Sequence, residues 1–323
     1  MKRKLLLLLL TALFVFPAGA EEQPGPEAHY TAKSRIAFYL FTAPGGGDTV
    51  DEVPENARVQ VFDLGDEWSL TGYYGKIGWC RTGWLWEFRS LDATRYPVPG
   101  AHPACGMVTA QESFTVTGGG FSGLTVAPGT MLCATAAGEE GYTLPVWRGE
   151  TEVPAAGFSY APFIPWAEAQ PGDLIAGFTT YYNERTGGSM AGSRAHNIIL
   201  GCEKLRGVIL EPGEEFSFNA VCAPYSQNNG YLLAPNISSS GQGFGGGVCQ
   251  VSTTLYNALL GTPLQITAWA THRFSGIQYA PQFFDAAVGA YSDLRFENTL
   301  AYPVRVEAMA QGGAVTVLLY RAE

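Results

Sequence analysis

The chain has 323 residues, 46% of them hydrophobic, with 19 Lys and Arg against 29 Asp and Glu for a formal net charge of −10. That length holds two or three domains with ample core, and the acidic balance excludes nucleic acid and anionic polymers as electrostatic partners. Six cysteines are too few for a disulfide scaffold in so long a chain. The candidate bridge joins Cys202 and Cys222, which flank a strand-like stretch within one domain.

Residues 1–20 read as a secretory signal peptide. Lys2, Arg3 and Lys4 precede the apolar run Leu5 to Phe16, and Ala18-Gly19-Ala20 supplies a small-x-small cleavage site before Glu21. The run is short for a bilayer span, and no later stretch reaches the ~20 apolar residues a spanning helix needs. No cysteine follows it to carry a lipid. The expectation is an exported, envelope-associated protein with no transmembrane segment after processing, and loss of the three cations takes its charge from −10 to −13. Residues 21–29 are a polar, proline-containing lead-in.

Over residues 30–90, short β-like runs alternate with turn signals: Ala37 to Leu40, Pro44 to Asp48, Arg58 to Phe62, Trp68 to Leu70, Gly75 to Trp79, then Trp84-Leu85. A Trp opening one strand with a Gly-x-x-Gly-Trp turn seven residues on resembles the bacterial SH3-like domain of exported proteins. The resemblance implies a small open barrel of about five strands that docks on cell-wall peptide or polysaccharide, or that spaces other domains. Trp68, Trp79 and Trp84 are then the wall-binding candidates, and filling a small barrel is their competing role. Tyr142, Gly149, Val153 and Phe158 repeat the Trp68, Gly75, Trp79, Trp84 offsets of 7, 11 and 16. Residues 105–162 therefore read as a second, diverged SH3-like domain or as a β-rich domain of unrelated fold. Tyr96 to Pro103 and Pro165 to Asp173 are linkers by composition.

Residues 172–321 form the last domain. Ile198, Ile199, Cys202 and Leu205 predict a helix from Arg194 to Leu205, and Val251, Leu255, Ala258 and Leu259 predict a second one opening at Cys249. Strands are expected at Gly207 to Leu210, Glu215 to Phe218, Leu264 to Ala270, Gly276 to Tyr279, Ala286 to Val288, Pro303 to Ala308 and Ala314 to Tyr320. One or two helices on a largely antiparallel sheet make an α+β domain. Gly245-Gly246-Gly247 precedes Cys249, so the thiol would sit at a helix N-terminus, where amides and macrodipole favour a thiolate. No Lys follows the glycines as a phosphate loop requires.

The stretch Gly245-Gly246-Gly247-Val248-Cys249-Gln250-Val251-Ser252-Thr253-Thr254-Leu255-Tyr256-Asn257-Ala258 resembles the signature of the VanW family of bacterial envelope proteins. Thr179-Thr180-Tyr181-Tyr182, Arg194, Asn197, Glu211 to Asn219, Asn229 to Pro235, His272, Asp285 to Val288 and Asp293 to Asn298 follow the family order. Two positions depart from it: Arg273 stands where the family usually has Ser, and Phe284 where it has a small or basic residue. The resemblance implies a bacterial envelope protein of a family named from a glycopeptide-resistance gene cluster, and it assigns no chemistry.

Cys249, His272 and Asp285 follow one another at separations of 23 and 13 residues. That order resembles the papain and transglutaminase-like group, with Cys249 as nucleophile, His272 as general base and acid, and Asp285 as orienter. The amide of Cys249, or one from Gly246, Gly247 or Val248, is the oxyanion donor, and Gln250, Arg194 and Asn197 are further oxyanion or substrate-binding candidates. Bland roles compete: a packing cysteine, a histidine bonded to backbone, an aspartate capping a turn. His196 is a weaker alternative histidine. The remaining His and Cys lack metal-ligand spacing, and no cofactor is implied. Two functions stay open: an envelope enzyme performing acyl transfer or amide hydrolysis on peptidoglycan stem peptides, and a non-catalytic wall-associated binding or scaffold protein.

Overall fold

The computed structural model describes residues 30–73, 76–90, 104–118, 121–146, 149–182, 188–237, 241–272, 277, 279–280 and 284–323. The expected signal peptide, the lead-in before Tyr30, the Tyr96 to Pro103 linker and Gly276 lie outside the described residues.

The first unit is a single antiparallel sheet. Its strands are β1 (Tyr30–Ser34), β2 (Phe38–Ala43), β3 (Gly46–Val53), β4 (Arg58–Leu64), β5 (Trp68–Tyr73), β6 (Lys76–Arg81) and β7 (Leu85–Ser90), in the order β3-β2-β6-β5-β4-β1-β7. Alternate residues turn inward, and the core they make is largely aliphatic: Ala32, Phe38, Leu40, Val53, Val59, Val61, Cys80 and Leu85. Trp84 packs against that core, its ring 5.4 Å from Phe38. Trp79 instead stands opposite Phe41 and Leu70 in the ladder, and cross-strand partners share a face. Trp68 joins them, 6.3 Å from Phe41 and 4.4 Å below the Arg81 guanidinium. Phe41, Trp68, Leu70 and Trp79 are all half-buried.

The middle unit consists of small antiparallel sheets. Gly106–Ala110 pairs with Met131–Ala134 and Phe158–Pro162, and Gly141–Val146 pairs with Gly149–Pro154. Its core of Val108, Ala110, Val126, Leu132, Leu144 and Phe158 is completed by Tyr181 and Ala314 of the last unit. Hydrogen bonds cross the same boundary, from the Cys133 amide to Thr179 Oγ1 at 2.9 Å and from Thr316 Oγ1 to the Met131 carbonyl at 2.6 Å. Pro165 to Asp173, expected as a linker, is packed instead. Ala169 is 1% exposed within the main core, and the Gly172 amide donates to the Arg321 carbonyl at 2.9 Å. Its prolines shape a turn against the last strand.

In the last unit, the strands Leu174–Tyr181, Ala314–Arg321, Val304–Gln311 and Val208–Leu210 lie in that order as an antiparallel sheet. Its helices are α1 (Ala191–Leu205), α2 (Phe218–Cys222) and α3 (Val248–Leu259). Both expected helices are present, each opening slightly earlier than the periodicity indicates. The Leu174–Tyr181 strand shows no alternation because every residue is buried. Phe178 joins the core beneath α3 and Thr180 bonds α3 at Thr254, while Thr179 and Tyr181 face the middle unit. Ala286 to Val288, expected as a strand, forms no ladder. The cysteine expectation is also corrected: all six are free thiols, and Cys202 on α1 and Cys222 on α2 are buried in the core without a bridge. No helix among the described residues is long and apolar enough to cross a membrane.

Candidate active site

Every residue of α3 except Cys249 is buried, so this helix is a central post with one opening. Its apolar positions Val251, Leu255, Ala258 and Leu259 meet the core. A glycine at the crossing, Gly201 of α1, allows close approach, since a Cβ there would lie 3.3 Å from Val251 Cγ2. The glycine loop ahead of α3 runs in equally tight space. Gly247 adopts φ +109°, and a Cβ on it would lie 3.0 Å from both Arg194 Cγ and Ile198 Cγ1. Gly246 has no room either, a Cβ there falling 2.7 Å from the Ala234 carbonyl oxygen.

Asn197, with no exposed surface, clamps this loop: its Nδ2 donates to the Leu232 and Gly246 carbonyls at 2.9 and 3.1 Å, and its Oδ1 accepts the Leu232 amide at 2.8 Å. Both of its donors are therefore spent within the protein. The loop amides divide in the same way. Those of Gly246, Val248 and Gln250 donate to Gly243, Gly245 and Gly247 carbonyls. Those of Gly247 and Cys249 have no acceptor among the described residues.

His272 lies just past the Gln265–Ala268 strand, and the structure brings it to both other members of the chain-order set. Its Nδ1 and its backbone amide each meet Asp285 Oδ2 at 2.7 Å, and its ring also hydrogen-bonds the Cys249 thiol. With Nδ1 held by the carboxylate, the other ring nitrogen is the one left for sulfur. Burial works to lower the imidazole pKa, but the hydrogen bonds to Asp285 and Cys249 and the charges on both outweigh it and raise it to about 10. The Cys249 thiol also faces the Val288 carbonyl at 3.5 Å.

Asp285 sits in an irregular segment outside any ladder, whose backbone bonds mostly to side chains, with one backbone bond from the Ala287 amide to the Ala270 carbonyl at 2.7 Å. Thr253 Oγ1 accepts the Ala286 amide at 3.0 Å, Ser252 Oγ donates to the Ala286 carbonyl at 2.7 Å, and Asn257 Nδ2 donates to the Phe284 carbonyl at 2.8 Å. Trp269 Nε1 donates to the Asp285 carbonyl at 2.8 Å. Thus the polar side of α3 is a socket for the segment that carries the carboxylate. Phe284 is buried with Ala280 in a small cluster against which Phe62 of β4 packs, so the first unit leans on this segment.

Arg194, half-buried on α1, donates from Nη2 to Gln250 Oε1 at 2.9 Å, and its guanidinium lies 5.6 Å from the Tyr182 ring centre. Gln250 is fixed in turn by donating to Thr180 Oγ1 at 3.1 Å, and Thr180 meets Thr254 at 2.7 Å. Burial lowers the Arg194 pKa, while Tyr279, Tyr182 and Cys249 nearby act to raise it. His196 stands apart, bonded to the Gly230 carbonyl at 2.9 Å.

Two tyrosines at the site escape any motif. Tyr279 hydrogen-bonds Thr253 and is in electrostatic contact with Cys249, Asp285 and Arg194; burial pushes its hydroxyl well above the usual range. Tyr225 donates to Asn219 Oδ1 at 2.8 Å, crowds Gly245 and is also raised, by burial first and then by neighbouring groups that include Cys249. Lone tyrosines in loops carry no spacing signal. Among the described residues, no group of three His, Cys, Asp or Glu has the arrangement of a metal site.

Residues 193–320 match the family described as "VanW like protein". Over 149 residues the chain is 37% identical to the "Uncharacterized protein YoaR" of Bacillus subtilis (strain 168), covering 45% of this chain and 47% of that protein. The chain thus spans about half the length of this curated relative. A solved NlpC/P60 family protein from Bacillus cereus ATCC 10987 aligns with 41% of this chain and 56% of its own at 12% identity and a TM-score of 0.16, too low to carry an argument.

Proposed function

From the premise that the chain is a VanW family protein through its domain at residues 193–320, and so cell-envelope-related, we propose that it is an exported enzyme acting on peptidoglycan stem peptides by acyl transfer or amide hydrolysis. The observation that carries this is His272, which bridges the Cys249 thiol and the buried Asp285 carboxylate. Asp285 holds the ring so that one nitrogen faces sulfur, and an imidazole raised to about 10 is protonated at neutral pH.

The Cys249 thiolate attacks the carbonyl carbon, and the C–S bond forms as the carbonyl π pair moves to oxygen. The unspent amides of Gly247 and Cys249 are the donors for that oxyanion. As the C–N bond breaks, the His272 imidazolium gives its proton to the departing amine. Neutral imidazole then takes a proton from water or an acceptor amine, which attacks the thioester and restores the thiolate. Purified stem peptides incubated with the protein should release a new amine or yield a transfer product by mass spectrometry, and Cys249→Ala should abolish it. Equal product from Cys249→Ala would remove the proposal.

A binding role has its own support in the first unit, whose Phe41, Trp68, Leu70 and Trp79 form a half-buried aromatic face edged by Arg81. Such a face suits sugar rings and peptide. In this role the first unit holds the chain on the wall. Trp68→Ala with Trp79→Ala should weaken cosedimentation with purified wall, and undiminished cosedimentation would exclude this face.

A further inference from the structure

Arg194 lies beside the candidate nucleophile with its charge balanced by no carboxylate among the described residues. Among the described residues its one hydrogen bond is to the neutral oxygen of Gln250. A guanidinium has five N–H donors in a planar fork, so most of its capacity is unspent. The partner that orients it is built in: Gln250, Thr180 and Thr254 are all fully buried and joined in one chain of hydrogen bonds. On its other side the stem of Arg194 rests against Gly247, whose position forbids a Cβ. Tyr182 and Tyr279 complete the surroundings with neutral phenols. A cation held partly out of water with no carboxylate beside it among the described residues is costly, and the cost is offset when a carboxylate binds.

We infer that Arg194 binds a carboxylate of the substrate close to the carbonyl that Cys249 attacks. The substrate class is accordingly a peptide or acyl compound with a free carboxylate near the scissile bond, held by the edge of the guanidinium that Gln250 leaves open. This rests on Cys249 being the nucleophile. The competing role for Arg194 is to stabilise the thiolate, and that role changes the sulfur's reactivity toward every electrophile alike.

Two alkylating reagents separate these roles: iodoacetate carries the carboxylate, and iodoacetamide is its neutral analogue. Both meet the same sulfur, so the ratio of their rates at Cys249, assigned by mass spectrometry on the full chain, cancels any change in thiolate fraction. The ratio should fall about tenfold in Arg194→Met, as expected for a lost charge-assisted hydrogen-bonded pair, and be partly retained in Arg194→Lys. In the unaltered protein, N-acetylglycine should protect Cys249 from iodoacetamide and N-acetylglycinamide should not, which needs no variant to fold. Equal ratios in the parent and Arg194→Met, or equal protection by acid and amide, would overturn the inference while leaving Cys249 a nucleophile. A Cys249 inert to both reagents would overturn the nucleophile and this inference with it.

Discussion

Thr253→Val probes how the Asp285 segment is held, because valine fills the same volume and removes only the hydroxyl. Thr253 Oγ1 is the acceptor for the Ala286 amide at 3.0 Å, and it lies 3.5 Å from the Ala286 carbonyl, which also receives Ser252 Oγ at 2.7 Å. The carbonyl therefore keeps a good donor in the variant, while the buried amide is left with none and Tyr279 loses its hydrogen bond to Thr253. One orphaned buried donor costs about 1–3 kcal/mol. Ser252→Ala leaves the carbonyl its longer contact with Thr253 and should cost less, about 0.5–1.5 kcal/mol. The double variant strips the carbonyl of both donors, so its cost should exceed the sum of the two. Loosening the segment also frees Asp285, so the His272 pKa should fall from about 10 toward its ordinary 6.5. Urea unfolding followed by tryptophan fluorescence gives the stabilities, and imidazole NMR resonances followed against pH give the titration. A Thr253→Val protein as stable as the parent, with His272 unmoved, would refute the socket role of α3.

Other outcomes follow from the same geometry. Gly247→Ala forces a side chain into a φ of +109° and against Arg194 and Ile198, which should cost about 1–3 kcal/mol by thermal melting. His272 has a folded pKa raised to about 10 from 6.5, so its contribution to stability is complete below about 6.5 and lost as pH rises through about 10. The stability gap between the parent and His272→Ala should narrow across that window, and a gap that widens would contradict the assignment. Burial raises the thiols of Cys80, Cys133 and Cys222 to about 11, 12 and 12, and raises Cys202 further. Peptide mapping after brief maleimide treatment of the folded protein should find Cys249 modified well before these four. Phe62→Ala removes the packing of β4 on the cluster of Ala280 and Phe284, and amide exchange over residues 284–288 should quicken while the helix α1 stays protected.

Much of the last unit is legible in the sequence because its helices are amphipathic and the inner Val304–Gln311 strand alternates. The glycine run, Cys249, His272 and Asp285 could be placed in order for the same reason: turn residues and a helical period bracket them. The Leu174–Tyr181 strand resists such reading, since burial on both faces removes the alternation that marks a strand. The opposite error arises at Ala286 to Val288, where apolar residues imitate a strand but side chains of α3 hold the Ala286 backbone and only a single backbone bond, from Ala287 to Ala270, resembles a ladder. Nothing in the spacing of Ser252, Thr253 and Asn257 says that they serve a distant backbone. Asn197 is equally opaque: one buried amide looks the same whether it meets a ligand or, as here, fastens a loop. The packing of Phe62 on the cluster of Ala280 and Phe284 joins units more than 200 positions apart, a distance at which pattern carries no information.

The rate of Cys249 alkylation by iodoacetamide, followed against pH in the parent, His272→Ala and Asp285→Asn, tests the proposed triad most directly. If the three residues work as one unit, His272→Ala should slow the reaction near neutral pH by about tenfold or more, and Asp285→Asn should slow it less in the same direction, with both variants folded. A Cys249 that reacts no faster than an ordinary exposed thiol, at rates indifferent to His272, would contradict it.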